Sequence, residues 1–342
     1  MIPFACAAGV KDHDILPLTS TGVRYPALTE HLHMTMPTSL PLDCEELPIY
    51  PMPTANQLRM VEESGLFDET WYRRCYLMGR TATMPPLVHY MQFGPRKGYQ
   101  PNRHFMPLNY LRFHPEALTQ NINPLLHYIQ NFRQVTELSS QTDIDFHQIY
   151  HCGGFGGDES CSGTGSSLRQ TATLRTELQK TFLKYAIKSI LDVPCGDCNW
   201  ISAMDFTGIT YTGGDIVEDL IEDNKIKLGR GFSFLVLDLC RGPLPAADML
   251  LTRDCFVHLS FEEIFKALAS IKNSDINYFA ATTFTNCTKN YDLDQITRWR
   301  PLNLCLPPFN LPAPSDLINE NCTENSGQYQ DKCLAIWEVT QL

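Results

Sequence analysis

The second half of the chain alternates short apolar runs with amphipathic stretches. Residues 189–193 form a run of the buried-strand type, ending beside Asp192, and Pro194, Gly196 and Asp197 then break it before a helix expected from Trp200. Residues 210–216 repeat the pattern, ending in Gly213-Gly214-Asp215, and a helix is predicted over 217–228. A strand over 232–239 contains Asp238, and another over 249–252 runs into Arg253-Asp254. A helix over 261–272 carries the capping-box pattern Ser260-x-x-Glu263 and places Ile264, Leu268 and Ile271 on one side. Residues 277–283 and 334–339 supply two later strands. Upstream, Leu168, Leu174, Leu178 and Phe182 form the stripe of a helix over 168–188, with Ser166 or Ser167 as N-cap. Strands alternating with helices predict an α/β domain over 145–342, its sheet mostly parallel and covered on both faces.

The first half follows different rules. Residues 1–64 are rich in Pro, Thr and Leu with little periodicity and are expected to form an irregular arm. Within 65–135, Phe67, Tyr72, Pro86, Leu87, His89 and Tyr90 recur as Phe105, Tyr110, Pro124, Leu125, His127 and Tyr128, all at one offset of 38 residues. Matches at a single period mark a repeated supersecondary unit. Each copy is expected to place a short helix around its first Tyr and a Pro-initiated helix over Leu-x-His-Tyr, making a small α-helical repeat domain. Its histidines are expected to bond within their own repeats, with a ligand role as the alternative.

Composition narrows the class. At 342 residues, 43% hydrophobic and 19% charged, the chain is globular, with two domains each able to bury a core. A net charge of -11 argues against an extended basic footprint for nucleic acid, no run of 18 apolar residues is present, and the start lacks the basic region of a secretory signal. Thirteen cysteines, an odd number without a framework, favour reduced thiols and a cytoplasmic setting. The glycosylation-type sequences at Asn286 and Asn321 then carry no meaning.

The chemistry gathers at strand ends. Asp192, Asp215 and Asp238 follow one another at intervals of 23 residues, the spacing three βα units would produce. An acid at the tip of the second strand is the type that accepts from both ribose hydroxyls; one after the third can accept from an adenine amino group, and one at the first from an ammonium.

On these residues the chain resembles class I S-adenosylmethionine-dependent methyltransferases. More closely it is similar to a bacterial and viral branch, through GGFGG, ESCSGTGS, ILDVPCGDCNW, YTGGDI, LDL, RDCFVHLSFEEI and TTF between Gly153 and the C-terminus. The resemblance implies a seven-stranded Rossmann-like methyltransferase sheet with S-adenosyl-L-methionine as cofactor. It further implies that Asp192, Pro194, Gly196 and Asp197 line the methionine side, that Asp215 holds the ribose, and that Asp238 with Leu239 holds the adenine. The superfamily's GxGxG is reduced here to Cys195-Gly196-Asp197-Cys198. That CxxC also admits a redox reading, and with Cys152 and Cys161 a zinc site, but neither explains the acids in register on later strands. No metal is expected. The repeat resembles helical modules found beside glycan-modifying domains in bacterial surface-polysaccharide enzymes.

Arg253, Asp254 and His258 follow the fourth strand. Methylating an alcohol requires removing its proton, and a neutral His258 with Asp254 four residues earlier suits that work; the alternative is a turn cap and a packed imidazole. The Gly/Ser loop 153–166, with Ser162 and Ser166, is expected to close over the acceptor, and Trp299, Arg300 and Asn303, with Phe309, to form an acceptor lid. The expected activity is O-methylation of a sugar hydroxyl, with glycan-synthesis enzymes as partners of the repeats, no nucleic acid and no transmembrane segment. The rival expectations are an idle nucleoside-binding scaffold, or a methyltransferase acting on a protein or small metabolite.

Overall fold

Seven strands make one sheet in the order β3-β2-β1-β4-β5-β7-β6. The computed structural model describes residues 47–77, 84–132, 140–293 and 299–342. All of these fall in one compact unit. The strands are β1 (Ser189–Asp192), β2 (Thr210–Asp215), β3 (Ser233–Val236), β4 (Ala247–Thr252), β5 (Ile276–Phe284), β6 (Asp316–Asn319) and β7 (Lys332–Glu338). β1 to β5 are parallel, and β7 runs antiparallel to both of its neighbours. β6 had no counterpart in the sequence pattern, because only Ile318 of its four residues is buried.

Alternation along the central strands splits the core into two layers. Ile190, Met249 and Leu251 face one side with Leu174 and Leu178 of α8 (Ala172–Lys184), while Leu191 and Leu250 face the other with Ile264 and Leu268 of α10 (Phe261–Lys272). The Ser260–Glu263 capping box of α10 forms as expected. α8 starts later than expected: Thr171 is at its N-cap and makes no side-chain cap bond. Ser167 stands one turn earlier, where its hydroxyl accepts from the Gln170 amide and its carbonyl from that of Thr171. The helix expected from Trp200 is a single 3-10 turn, Ile201–Ala203. α9 (Glu218–Leu228) follows β2 as expected.

The N-terminal part is helical: α1 (Ala55–Ser64), α2 (Glu69–Tyr76), α3 (Pro86–Phe93), α4 (Pro107–Phe113), the single turn α5 (Glu116–Thr119) and α6 (Pro124–Asn131). α1 corrects the expectation of an irregular arm for its last ten residues. Thr54 and Gln57 form a capping box, and Gly65 at φ 66° ends the helix; the arm's residues 1–46 lie outside those described. The two copies share one geometry. Tyr72 Oη lies 2.8 Å from His89 Nδ1 and Tyr110 Oη 2.7 Å from His127 Nδ1. The ring pairs agree too: Phe67–Tyr72 at 5.2 Å matches Phe105–Tyr110 at 5.1 Å, and Tyr72–Tyr90 at 5.7 Å matches Tyr110–Tyr128 at 6.0 Å.

A further helix, α7 (Gln141–His151), joins the two parts where a polar link was expected near 137–143. Among the described residues no helix is long and apolar enough to cross a membrane.

Candidate active site

β1 and β4 are adjacent, yet β2 lies on the far side of β1, so the order reverses between them and the loops there part into a crevice. A cavity of about 440 Å³ occupies it, within the range of small-molecule sites. All seven residues expected at the cofactor border it: Asp192, Pro194, Gly196, Asp197, Asp215, Asp238 and Leu239.

The three acids have different surroundings. Asp192 is buried and its Oδ2 accepts from Tyr211 Oη at 2.6 Å; burial pushes its carboxyl up to about 7. Asp215 accepts from the Val217 amide at 3.1 Å and the Gly196 amide at 3.2 Å, and burial raises it to about 6. Asp238, more exposed, accepts from the Cys240 amide at 2.8 Å and pairs with Arg241 Nε at 3.1 Å.

The turn after β1 needs its glycine. Gly196 has φ 54°, and a Cβ there would lie 2.2 Å from Ser162 Oγ. Cys198 adopts φ 55° and is buried, with its sulfur 3.5 Å from Tyr211 Oη. Cys195 is held well above the usual thiol range by its contact with Cys198 and by burial, which removes the thiolate a redox motif requires. Every described cysteine is free.

The Gly/Ser loop is fastened over this turn. Asp197 accepts from Ser160 Oγ and from the Cys161 amide, both at 2.9 Å, while Asn199 donates to Glu159 Oε1 at 2.9 Å and to the Ser166 carbonyl at 3.1 Å. Ser162 and Ser166 both line the cavity. α7 supplies the rest of the roof with Phe146, Ile149 and Tyr150. It is bolted down at both ends: Thr142 Oγ1 donates to Glu263, and Tyr150 Oη donates to Asp223 Oδ2 at 2.6 Å. No sequence motif announced α7. Its clue was the placement of Phe146, Ile149 and Tyr150 at helical spacing just upstream of the Gly-rich loop.

Arg253, Asp254 and His258 all border the cavity. Arg253 Nη2 lies 2.7 Å from Glu320 Oε2 and donates to the Gly165 carbonyl at 3.0 Å, and its Nη1 lies 3.2 Å from Asp254 Oδ2. Lys332 Nζ lies 2.6 Å from the same Asp254 oxygen and 3.6 Å from Glu320. Two cations and two carboxylates thus close a network, buried except at Asp254, which meets the cavity. Burial alone would raise Asp254, but Lys332 and Arg253 outweigh it and hold the carboxyl well below the usual range. Sequence reasoning missed Glu320 and Lys332; the visible signal for the latter is a lysine opening the otherwise apolar run KCLAIW. His258 ends a 3-10 turn (Phe256–His258), its ring stacked on Phe155 at 4.9 Å with Phe146 edge-on at 6.0 Å.

The residues expected to form an acceptor lid lie elsewhere than the cavity wall. Trp299, Arg300 and Asn303 are not among the residues bordering the cavity. Arg300 is buried and donates to the carbonyls of Phe256 at 2.7 Å, of Leu259, and of Tyr291 at 3.2 Å, clamping the turn that carries His258. Trp299 packs on Phe284 and Tyr329, Asn303 bonds to Asn290 and the Cys287 carbonyl, and Phe309 packs on Phe261. A guanidinium with all three nitrogens turned to backbone carbonyls is held as a structural clamp. The aromatic wall comes instead from Phe146 and Phe155.

Strand order, the antiparallel seventh strand and the crevice define a Rossmann-like α/β fold with a mostly parallel, seven-stranded sheet. No family model and no curated protein sequence matches the chain. Among solved structures it is similar in fold to the TehB-like S-adenosylmethionine-dependent methyltransferase of Corynebacterium glutamicum, with 16% identity over 44% of this chain and 79% of that one and a TM-score of 0.33. It is also similar to a Pyrococcus horikoshii protein, PH0226, with 20% identity over 33% and 53% and a TM-score of 0.30. An S-adenosylmethionine-dependent methyltransferase of Clostridium acetobutylicum shows 11% identity over 33% and 50%, with a TM-score of 0.30. The matched part spans about half the length of the latter two proteins.

Proposed function

We propose that the protein transfers a methyl group from S-adenosyl-L-methionine to an oxygen, most concretely a sugar hydroxyl. The observation that carries this is the convergence of Asp192, Asp215 and Asp238 on one roofed cavity at the sheet's switch point. Asp215 is suited to accept from the ribose hydroxyls, Asp238 with Leu239 to meet the adenine, and Asp192 to face the ammonium end. The donor, when bound, supplies an electrophilic methyl on a sulfonium. Methylation of an acceptor oxygen would then require its hydroxyl proton to leave, and His258 would take that proton on its imidazole. The chain's own work is alignment and water exclusion: the fastened Gly/Ser loop and α7 cover the site, and Arg300 fixes the turn bearing His258.

The sugar assignment draws support from Phe155, which is 44% exposed and offers a flat face for a sugar ring, and from the repeat module's resemblance to those of glycan enzymes. Free thiols suit a reducing, cytoplasmic setting, and the repeats are the surface we assign to glycan-synthesis enzymes. Calorimetry with S-adenosylmethionine tests the donor site: wild type binds and Asp215→Ala does not, whereas an idle scaffold that has lost its site shows no binding in either. Labelled donor with polysaccharide or its lipid-linked precursor then tests the acceptor. Label on protein or on a small metabolite would replace the sugar, and full activity in His258→Ala would remove that residue as the base.

A further inference from the structure

Away from the cavity, α7 carries Asp143, His147 and His151 at intervals of four residues, so the three lie along one face of the helix. That face meets the first turn of α9, where Asp219 sits. His151 Nε2 lies 2.8 Å from Asp219 Oδ2, and the ligating atoms of His147, His151 and Asp219 all lie within 4.8 Å of one another. Asp143 Oδ1 is 3.5 Å from His147 Nε2. Two imidazoles one helical turn apart, facing a carboxylate from a second element, form the donor set that borderline transition-metal dications prefer over magnesium or calcium, which favour oxygen ligands alone. His151 is 3% exposed, so its side chain is fixed before any ion arrives.

From this geometry we propose that His147, His151 and Asp219 bind a divalent transition-metal ion such as zinc, with Asp143 or water completing the coordination. The site departs from the expectation of no metal. It does not depend on the methyl-transfer reading, because it stands outside the cavity and its role is structural. An ion there cross-links α7 to α9. α7 forms the cavity roof and α9 follows the strand that presents Asp215, so the cross-link adds to the Tyr150–Asp223 bond beside it and stiffens the roof. An ion that binds the folded chain alone also stabilises it by mass action.

The test uses the full chain, stripped with chelator and titrated with Co²⁺ in reducing buffer, because thirteen cysteines offer a competing thiolate site that cobalt absorption can distinguish. The expected result is one ion per chain, visible d–d bands and no thiolate charge-transfer band. Asp219→Asn and His147→Gln should each weaken binding about tenfold or more, and Zn²⁺ should raise the thermal midpoint of wild type but not of either variant. Asp219 is 46% exposed in its side chain, so its amide variant keeps the fold, and a native far-UV spectrum checks this. A thiolate band, unchanged binding in both variants, or no saturable uptake would overturn the proposal.

Discussion

Lys332 Nζ lies 2.6 Å from Asp254 Oδ2 although 78 residues separate them, and it does so from the first position of β7. Lys332 is buried and Asp254 half-buried at the cavity wall, and Arg253 and Glu320, both buried, complete a network of balanced charge. Lys332→Met leaves two carboxylates facing one guanidinium, with Glu320 fully shut off from water. Removing one partner of a buried pair costs about 3–5 kcal/mol, which urea unfolding should record. The double variant Lys332→Met/Glu320→Gln, which again balances one cation against one anion, should recover most of that loss. Additive losses in the double variant would show that the four charges do not act as a network.

The same cavity predicts an unusual dependence of stability on pH. Burial raises Asp192 to about 7 and Asp215 to about 6, so between the unfolded carboxyl range, about 4, and neutrality the folded chain holds more protons on them than the unfolded chain does. Stability of the donor-free protein from these groups therefore falls as pH rises from about 4 to about 7. Asp254 has the opposite sign: Lys332 and Arg253 hold it low, and its contribution is lost only as pH falls below the ordinary carboxyl range. Chemical unfolding across pH should thus show greatest stability on the acid side of neutrality, and Asp192→Asn, whose amide oxygen can still accept from Tyr211, should flatten the slope between 5 and about 7. A slope of the same size in that variant would assign the effect elsewhere.

The helical repeat gives a matched pair of tests. Tyr110→Phe removes the hydroxyl bonded to His127 Nδ1, and His127 is only 2% exposed, so the nitrogen stays dry and unsatisfied. The expected cost is about 1–3 kcal/mol. Tyr72→Phe removes the equivalent bond to His89, whose ring is only partly buried, and should cost less because water can replace the hydroxyl. Thermal unfolding of the two variants side by side would show the ranking, and equal losses would contradict it.

These sites differ in how openly the sequence displayed them. Short apolar runs exposed β1, β2 and β4 and a period of 3.6 exposed α8 and α10, while the acids at the strand tips could be read because a βα unit places its chemistry at a fixed chain distance. The repeat was visible because copying preserves spacing, down to the Tyr–His bond made twice at a separation of 17 residues. What stayed hidden depends on contacts distant in the chain. Glu320 lies just beyond a short strand with one buried residue, Lys332 looks like an exposed strand end until its partners are known, and Trp299 and Arg300 resemble ligand-binding types until the carbonyls facing Arg300 are seen. Residue type indicates what a side chain can do; the partners already holding it decide whether it is available.

Arg300 provides the sharpest consequence of that distinction. Its two Nη groups grip the carbonyls of Phe256 and Leu259, on either side of His258, while Nε reaches the Tyr291 carbonyl. Burial lowers this guanidinium only to about 10, so it stays charged at neutral pH and its bonds to the carbonyls remain charge-assisted. Arg300→Lys keeps the charge, but a single ammonium lacks the planar fork that spans both carbonyls, and the turn carrying the imidazole is released. Since Arg300 lies outside the cavity wall, donor affinity in calorimetry should hold while methyl transfer falls about ten- to a hundred-fold, the scale expected when a reacting group shifts by about 1 Å. The pH dependence of any residual transfer should still follow an imidazole, because the proposed base, His258, is displaced rather than removed. Loss of donor binding together with transfer would instead make Arg300 a general support of the fold, and unchanged transfer would mean that the turn does not need its clamp.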